Sequence, residues 1–371
     1  MIGDRVLTHR NAGALQWAVA ACALLAVANL LAGLSGGLAR LGLPLPAAAL
    51  ASHGAVMVCA FFGALISLER ALALKHPLGL VAPLAACAGG LLAWALQDEA
   101  AATAAWLVAA ISLVALYVLA GATRAWSLHL GVELAGALCW GAGTFAWAAD
   151  EHSAARLGWM AFLVLTIAGE RRELMQMVRL SLLPRLLFVA TVACGLIAVA
   201  LSNLAFTSIG SSGLPPDALW WLTCAGLALW LLRWDLAPRM WRQPGWIGHT
   251  AVCLTVGYCW LLAGALLGLV GLWRPAGVAV VAPHAVLLGF VFAMVFGHAP
   301  IILPALFGLR PRYSSWVRLP VWLLSASLAL RLAGAETRSI QLLAWGGLAH
   351  ALAIALFGLL MLRATLGVAA R

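Results

Sequence analysis

The stretch ASHGAVMVCAFFGALISLERA, residues 51–71, holds a histidine near its start, an adjacent carboxylate and arginine near its end, and no charge between them. About 20 apolar residues cross the hydrocarbon of a bilayer. The stretch therefore reads as a transmembrane helix that keeps its ionisable groups towards its two ends. Windows of the same kind recur along the whole chain, joined by short polar segments. They centre near Val19, Val58, Leu84, Leu107, Leu138, Leu163, Cys194, Leu227, Cys259, Phe290, Leu324 and Ile354. The pattern predicts an all-α, polytopic transmembrane bundle of about 12 helices, forming a single membrane domain over residues 1–371. The windows near Leu84 and Leu163 carry the weakest signal.

Composition supports this class. The 371 residues are 65% hydrophobic and 9% charged, with a mean hydropathy of +1.03. A water-exposed surface needs many more charges than that. The formal charge of +10 does not point to nucleic acid, because the basic residues form no patch. They segregate by loop instead. With the N-terminus in the cytoplasm, only Arg40, Arg156, Arg274, Arg331 and Arg338 of the 22 basic residues fall on the outer side. That bias follows the positive-inside rule and predicts both chain ends inside. The first apolar stretch follows Arg5 and Arg10, as a signal peptide would, but runs too long and lacks a small-residue cleavage site. It reads as the first helix. The eight cysteines all lie in apolar segments without a CxxC pair, so neither a disulfide framework nor a zinc knuckle is indicated. Most tryptophans fall near helix ends, where indoles anchor at the lipid headgroups.

The nine histidines are the informative residues. In the predicted topology His53, His284 and His350 lie on helices two, ten and twelve, roughly 10–14 Å below the outer interface at 1.5 Å per residue. A ligating side chain inside a bilayer is costly and marks a functional site by default. Three imidazoles at one level suit a haem iron or a copper ion, although each can instead bond a backbone carbonyl as polar glue between helices. The segments 51–66 and 282–297 echo one another, each placing a small residue and a histidine at the outer end of a helix rich in small and aromatic residues. Helices two and ten are therefore expected to play similar roles.

A second polar level is expected at the inner side. His298, in GHAPIILP, lies about 21 Å along the axis from His284, at the depth where His249 enters helix nine; together they form a candidate inner metal site. Glu69–Arg70 and Glu170–Arg171–Arg172 sit at the inner ends of helices two and six. Arginine forks bind carboxylates bidentately, so Arg171 and Arg172 are candidate contacts for haem propionates, or local ion-pair anchors. Glu133 lies inside helix five, one turn from His129, as a candidate for a proton path or an arginine partner. His9, His76 and His152 read as surface residues.

The pairing of SHGAVMVCAFFGALI on helix two with PHAVLLGFVFAMVFGHAP on helix ten, together with IAGERREL after helix six, resembles the NnrS family. These are twelve-helix bacterial inner-membrane proteins containing haem and copper, linked to nitric oxide stress and denitrification. The chain is more loosely similar to the catalytic subunit of haem–copper oxidases, which holds a low-spin haem between histidines on helices two and ten. That similarity implies His53 and His284 as an axial pair. The oxidases also need histidines on helices six and seven for copper, and here those helices have none. The resemblance therefore implies a haem protein that binds a gas such as nitric oxide or passes electrons, rather than a terminal oxidase. The competing expectation is a transporter for copper or a small solute. It draws on the sulfur–imidazole pairs His53/Met57, His249/Cys253 and Met294/His298, spaced to share a helix face. A transporter would also show discontinuous helices and a clear repeat, and neither is evident in the sequence. Membrane lipid is the one partner the composition requires.

Overall fold

The computed structural model describes residues 9–74, 77–176, 178–205, 215–274, 277–308 and 310–369. His76 and most of the SGLP joint at 212–215 lie outside the described residues. Among those described there is no β-strand. In chain order the rods are α1 (His9–Ala39), α2 (53–74), α3 (Val81–Trp94), α4 (Glu99–Arg124), α5 (Leu128–Ala148) and α6 (His152–Leu174). They continue as α7 (Leu182–Ala205), α8 (Pro216–Trp234), α9 (Gly245–Gly271), α10 (278–307), α11 (Leu319–Glu336) and α12 (Ile340–Ala369). A helix thus covers every apolar window of the sequence.

Eight helices are long and apolar enough to cross a membrane: α1, α2, α4, α7, α9, α10, α11 and α12. The other four explain themselves. α3 has only 14 residues, whereas α5, α6 and α8 hold ionisable or indole side chains along their length. The exterior is oily. Leu182, Leu183, Leu186, Ile197 and Leu204 of α7 and Leu352, Leu359 and Leu366 of α12 are exposed. In water such a surface would aggregate; against lipid it is solvated, and the protein is membrane-embedded.

Short joints turn the chain back on itself. Asp98 caps α4 by accepting from the Ala101 amide at 2.9 Å, and Ser127 caps α5 by accepting from Leu130, satisfying orphan N–H groups. α6 sits at the centre, buried on every side from Ala154 to Gly169 save for part of Arg156. A helix apolar all round belongs in a core. It packs on α5, with Trp140 stacked on Phe162 at 4.8 Å, and touches both α2 and α10.

α2 and α10 share a departure from α-geometry. α2 becomes π-helical over Val56–Phe62, directly after the turn that carries His53. α10 does so over Ala285–Phe292, directly after His284. Pi-helical stretches are rare and cluster at functional sites. Where they meet, Phe61 and Phe62 pack on Phe292 with ring centroids 6.0 and 5.2 Å away. The sequence echo between the two helices thus has a structural counterpart.

Candidate functional site

His53 is seated by α1. Gly33 and Gly37, one turn apart, remove the side chains that would hold α1 away from α2, as small residues do at membrane helix interfaces. A Cβ on Gly37 would come within 2.7 Å of the His53 Cε1, and one on Gly33 within 2.6 Å of the Met57 sulfur. The close approach lets His53 Nδ1 reach the Gly33 carbonyl at 2.7 Å. Gly37→Val is therefore expected to cost about 1–3 kcal/mol through overpacking and to displace the imidazole. Thermal unfolding of the purified variant in detergent measures the cost.

The other two histidines are held in the same sense. His284 Nδ1 lies 3.3 Å from the Val280 carbonyl, one turn back on α10. His350 Nδ1 lies 2.5 Å from Ser327 Oγ of α11, and that hydroxyl also lies 2.7 Å from the Leu324 carbonyl. A carbonyl cannot donate, so His53 and His284 must carry their proton on Nδ1. Ser327 donates its one proton to Leu324, so His350 Nδ1 donates to the serine. In each ring Nε2 is left with a free lone pair, and that of His350 is buried without a partner. Tying down one nitrogen to present the other as a ligand is how proteins orient metal-binding imidazoles.

All three border open space within the bundle. A cavity of about 280 Å³ is walled by His53, His284 and His350 with Arg331, Met57 and Phe292. A second, of about 680 Å³, shares His53, His284 and Arg40 and adds His152, Arg156 and Trp221. The imidazole pair of α2 and α10 thus has open volume on both flanks. The walls are mostly apolar, but three guanidiniums reach them. Arg40 donates to the Leu50 and Ala51 carbonyls at 2.6 and 2.7 Å, while the Nε of Arg331 is buried without a partner. With Asp217 the only acid in either wall, the space is electropositive.

Several sequence expectations change. The three histidines line one cavity but do not close on one ion: among the described residues no group of three or more His, Cys, Asp or Glu could hold a metal. His152 is exposed, as expected, with its ring tilted against Trp147 at 4.7 Å, and it also lines the larger cavity. His249 and His298 each bond a backbone carbonyl. His249 Nε2 donates to the Phe296 carbonyl at 3.0 Å, with the Cys253 sulfur 3.7 Å away. His298 Nδ1 donates to the Met294 carbonyl at 2.8 Å rather than engaging its thioether, and its Nε2 is buried without a partner.

Arg171 and Arg172 stand at the wrong end of α6 for the histidine level. His152 and Arg156 at its start face the cavity; Arg171 lies fifteen residues on, about 22 Å along the axis. Arg171 forms a two-pronged ion pair with Asp235, at 2.8 and 2.9 Å, and Tyr258 donates to the same carboxylate at 2.9 Å. Arg172 makes no ion pair with an acid among the described residues. The guanidiniums that do reach the histidines are Arg40, Arg156 and Arg331. Their signal was in the sequence, since the positive-inside count puts all three on the outer side. The α1 glycines had a signal too, in the four-residue spacing of Gly33 and Gly37.

No curated protein and no solved structure matches the chain. A family profile described as "Domain of unknown function (DUF8744)" matches residues 19–366. That interval takes in every helix that walls the cavities, and the chain belongs to the DUF8744 family.

Proposed function

We propose that this protein is a haem-binding integral membrane protein, with His53 and His284 as the iron ligands, acting in nitric oxide handling or electron transfer. The observation that carries the reading is the pair of Nδ1-anchored imidazoles, each with a free Nε2 lone pair, bordering the same two cavities. A macrocycle carried between two histidines needs room on both flanks of the pair, and the cavities supply it. The residues fit the group in two further ways. Arg40, Arg156 and Arg331 supply positive charge for carboxylate substituents in a low-dielectric setting. Val58, Leu287 and Phe292 supply the apolar wall that excludes water.

When bound, haem iron supplies a redox couple or an open position for a diatomic gas. The protein's own part is to fix the imidazole tautomers, through Gly33 and Val280, and to offset negative charge. The nitric oxide assignment rests on the likeness of the two histidine motifs to NnrS proteins; a site within hydrocarbon is reachable by a small apolar gas from lipid. Copper would be a second, separate metal in this reading. In the same reading the twelve rods are twelve spans of a bacterial inner membrane, with both ends cytoplasmic, supported by the segregation of the arginines.

The test is a reduced-minus-oxidised visible spectrum of the purified protein, with metal analysis on the same sample. Sharp α and Soret bands with iron in proportion to protein support the reading. A second reading, a copper or solute transporter, draws on the matched π-helical stretches of α2 and α10, since departures from regular helix cluster at functional sites. A colourless protein that moves copper into proteoliposomes would replace the haem assignment with that one.

A further inference from the structure

We infer that Glu133 and the carboxylates around Arg70 form an intramembrane proton-binding site at the opposite end of the bundle from the histidines. Four carboxylates from three helices converge on one guanidinium. Arg70 of α2 lies 3.0 Å from Glu170, 3.5 Å from Glu173, 3.3 Å from Glu133 and 3.9 Å from Glu69. A single positive charge balances one carboxylate. Geometry says which: the contacts to Glu170 and Glu173 are hydrogen bonds, whereas both Glu133 oxygens lack a hydrogen-bond partner.

The excess acids differ in what water can do for them. The Glu173 and Glu69 side chains are 42% and 37% exposed, Glu170 is 19% exposed, and Glu133 is 0% exposed. Partly exposed carboxylates keep some of their hydration, which favours the charged form. A carboxylate buried without hydrogen bonds, beside a guanidinium already engaged elsewhere, is far more stable neutral than charged. An independent feature marks the same spot. Tyr117 of α4 is 1% exposed and its hydroxyl has no hydrogen-bond partner. It lies within electrostatic reach of Arg70, Glu133, Glu170 and Glu69.

The other ionisable neighbours do not neutralise Glu133. His129, one turn earlier on α5, engages Ser127 at 3.0 Å and Gln176 at 3.3 Å. Arg172 acts on His129 and forms no ion pair with Glu133. The cluster therefore grades from exposed acids to a buried one, and the ligand it takes is a proton drawn from water at the Glu69–Glu173 face and held on the Glu133 carboxyl. This inference is independent of the haem reading and survives its failure.

The experiment is infrared spectroscopy of the full-length protein in lipid nanodiscs, in light and heavy water. At neutral pH the wild type is expected to show the C=O stretch of a protonated carboxylic acid, shifted in heavy water. Glu133→Gln, an isostere of the neutral acid, should remove that band completely and leave thermal stability unchanged. Glu173→Gln should leave the band in place. A wild type with no such band at neutral pH overturns the inference without recourse to any variant. So does a band that persists in Glu133→Gln, or a Glu133→Gln protein that fails to fold, because either result means that Glu133 is not the neutral group.

Discussion

Replacing His53 or His284 with alanine is expected to abolish the Soret absorbance of the purified protein while yield in the membrane survives. The large effect follows from geometry. Each imidazole is fixed by a backbone carbonyl, from Gly33 or Val280, and no other nitrogen ligand on α2 or α10 lies at that level to replace it. His350→Ala should act more mildly, since His350 borders only the smaller cavity. Loss of a supporting contact such as Ser327 typically weakens a metal site about 10–100-fold rather than erasing it. The readout is the ratio of Soret to protein absorbance in each variant. Unchanged spectra in both His53→Ala and His284→Ala would remove these residues as iron ligands.

The second large effect concerns stability. Arg171 and Asp235 join α6 to the segment after α8 by a buried ion pair, completed by the Tyr258 hydroxyl and the Ala237 amide. Removing one member leaves an uncompensated buried charge, which costs about 3–5 kcal/mol. Asp235→Asn and Arg171→Leu should each lower the unfolding midpoint sharply. The double variant should recover part of the loss, because neither charge is then stranded. Any folded Arg171→Gln protein should keep the wild-type absorbance ratio, given the 22 Å or so of helix between this pair and the cavities.

Asp235 also sets the acid limit of that contribution. Burial pushes its carboxyl up, but the Arg171 hydrogen bond and charge, with Ala237 and Tyr258, hold it below the usual carboxylate range. With the folded value below the unfolded value of about 3.9, the stabilisation is fully present above about pH 4. It is lost as pH falls through the depressed value. Melting curves across the acid range should therefore show this contribution intact in wild type until strongly acid pH, and missing at every pH in Asp235→Asn.

Much of the architecture needs no tertiary information. Apolar windows of membrane length leave the backbone no alternative to helix, because lipid offers no partner for an open N–H or C=O. The position of His53 and His284 along their helices follows from the same count of residues. Other features depend on which helices touch. Asp235, just beyond α8, reads as an ordinary loop acid until α6 brings Arg171 against it. Arg171 and Arg172 look like ligand clamps in AGERREL, yet one is absorbed by Asp235 and neither faces the histidines. His152 reads as a surface residue and is exposed, yet the first turn of α6 that carries it also borders the larger cavity. Glu133 looks solitary within α5 until Arg70, Glu170 and Glu173 arrive from α2 and α6.

The division has one physical cause. Hydropathy and helical rise act along the chain, so sequence by itself determines the helices, their apolar character and the position of each histidine along its helix. Which nitrogen of His53 carries the proton, which arginine keeps a free charge and which carboxylate is left without one depend on contacts between residues 20 to 103 positions apart. Only the packing of helices distant in sequence brings those groups together, and only the tertiary structure decides them.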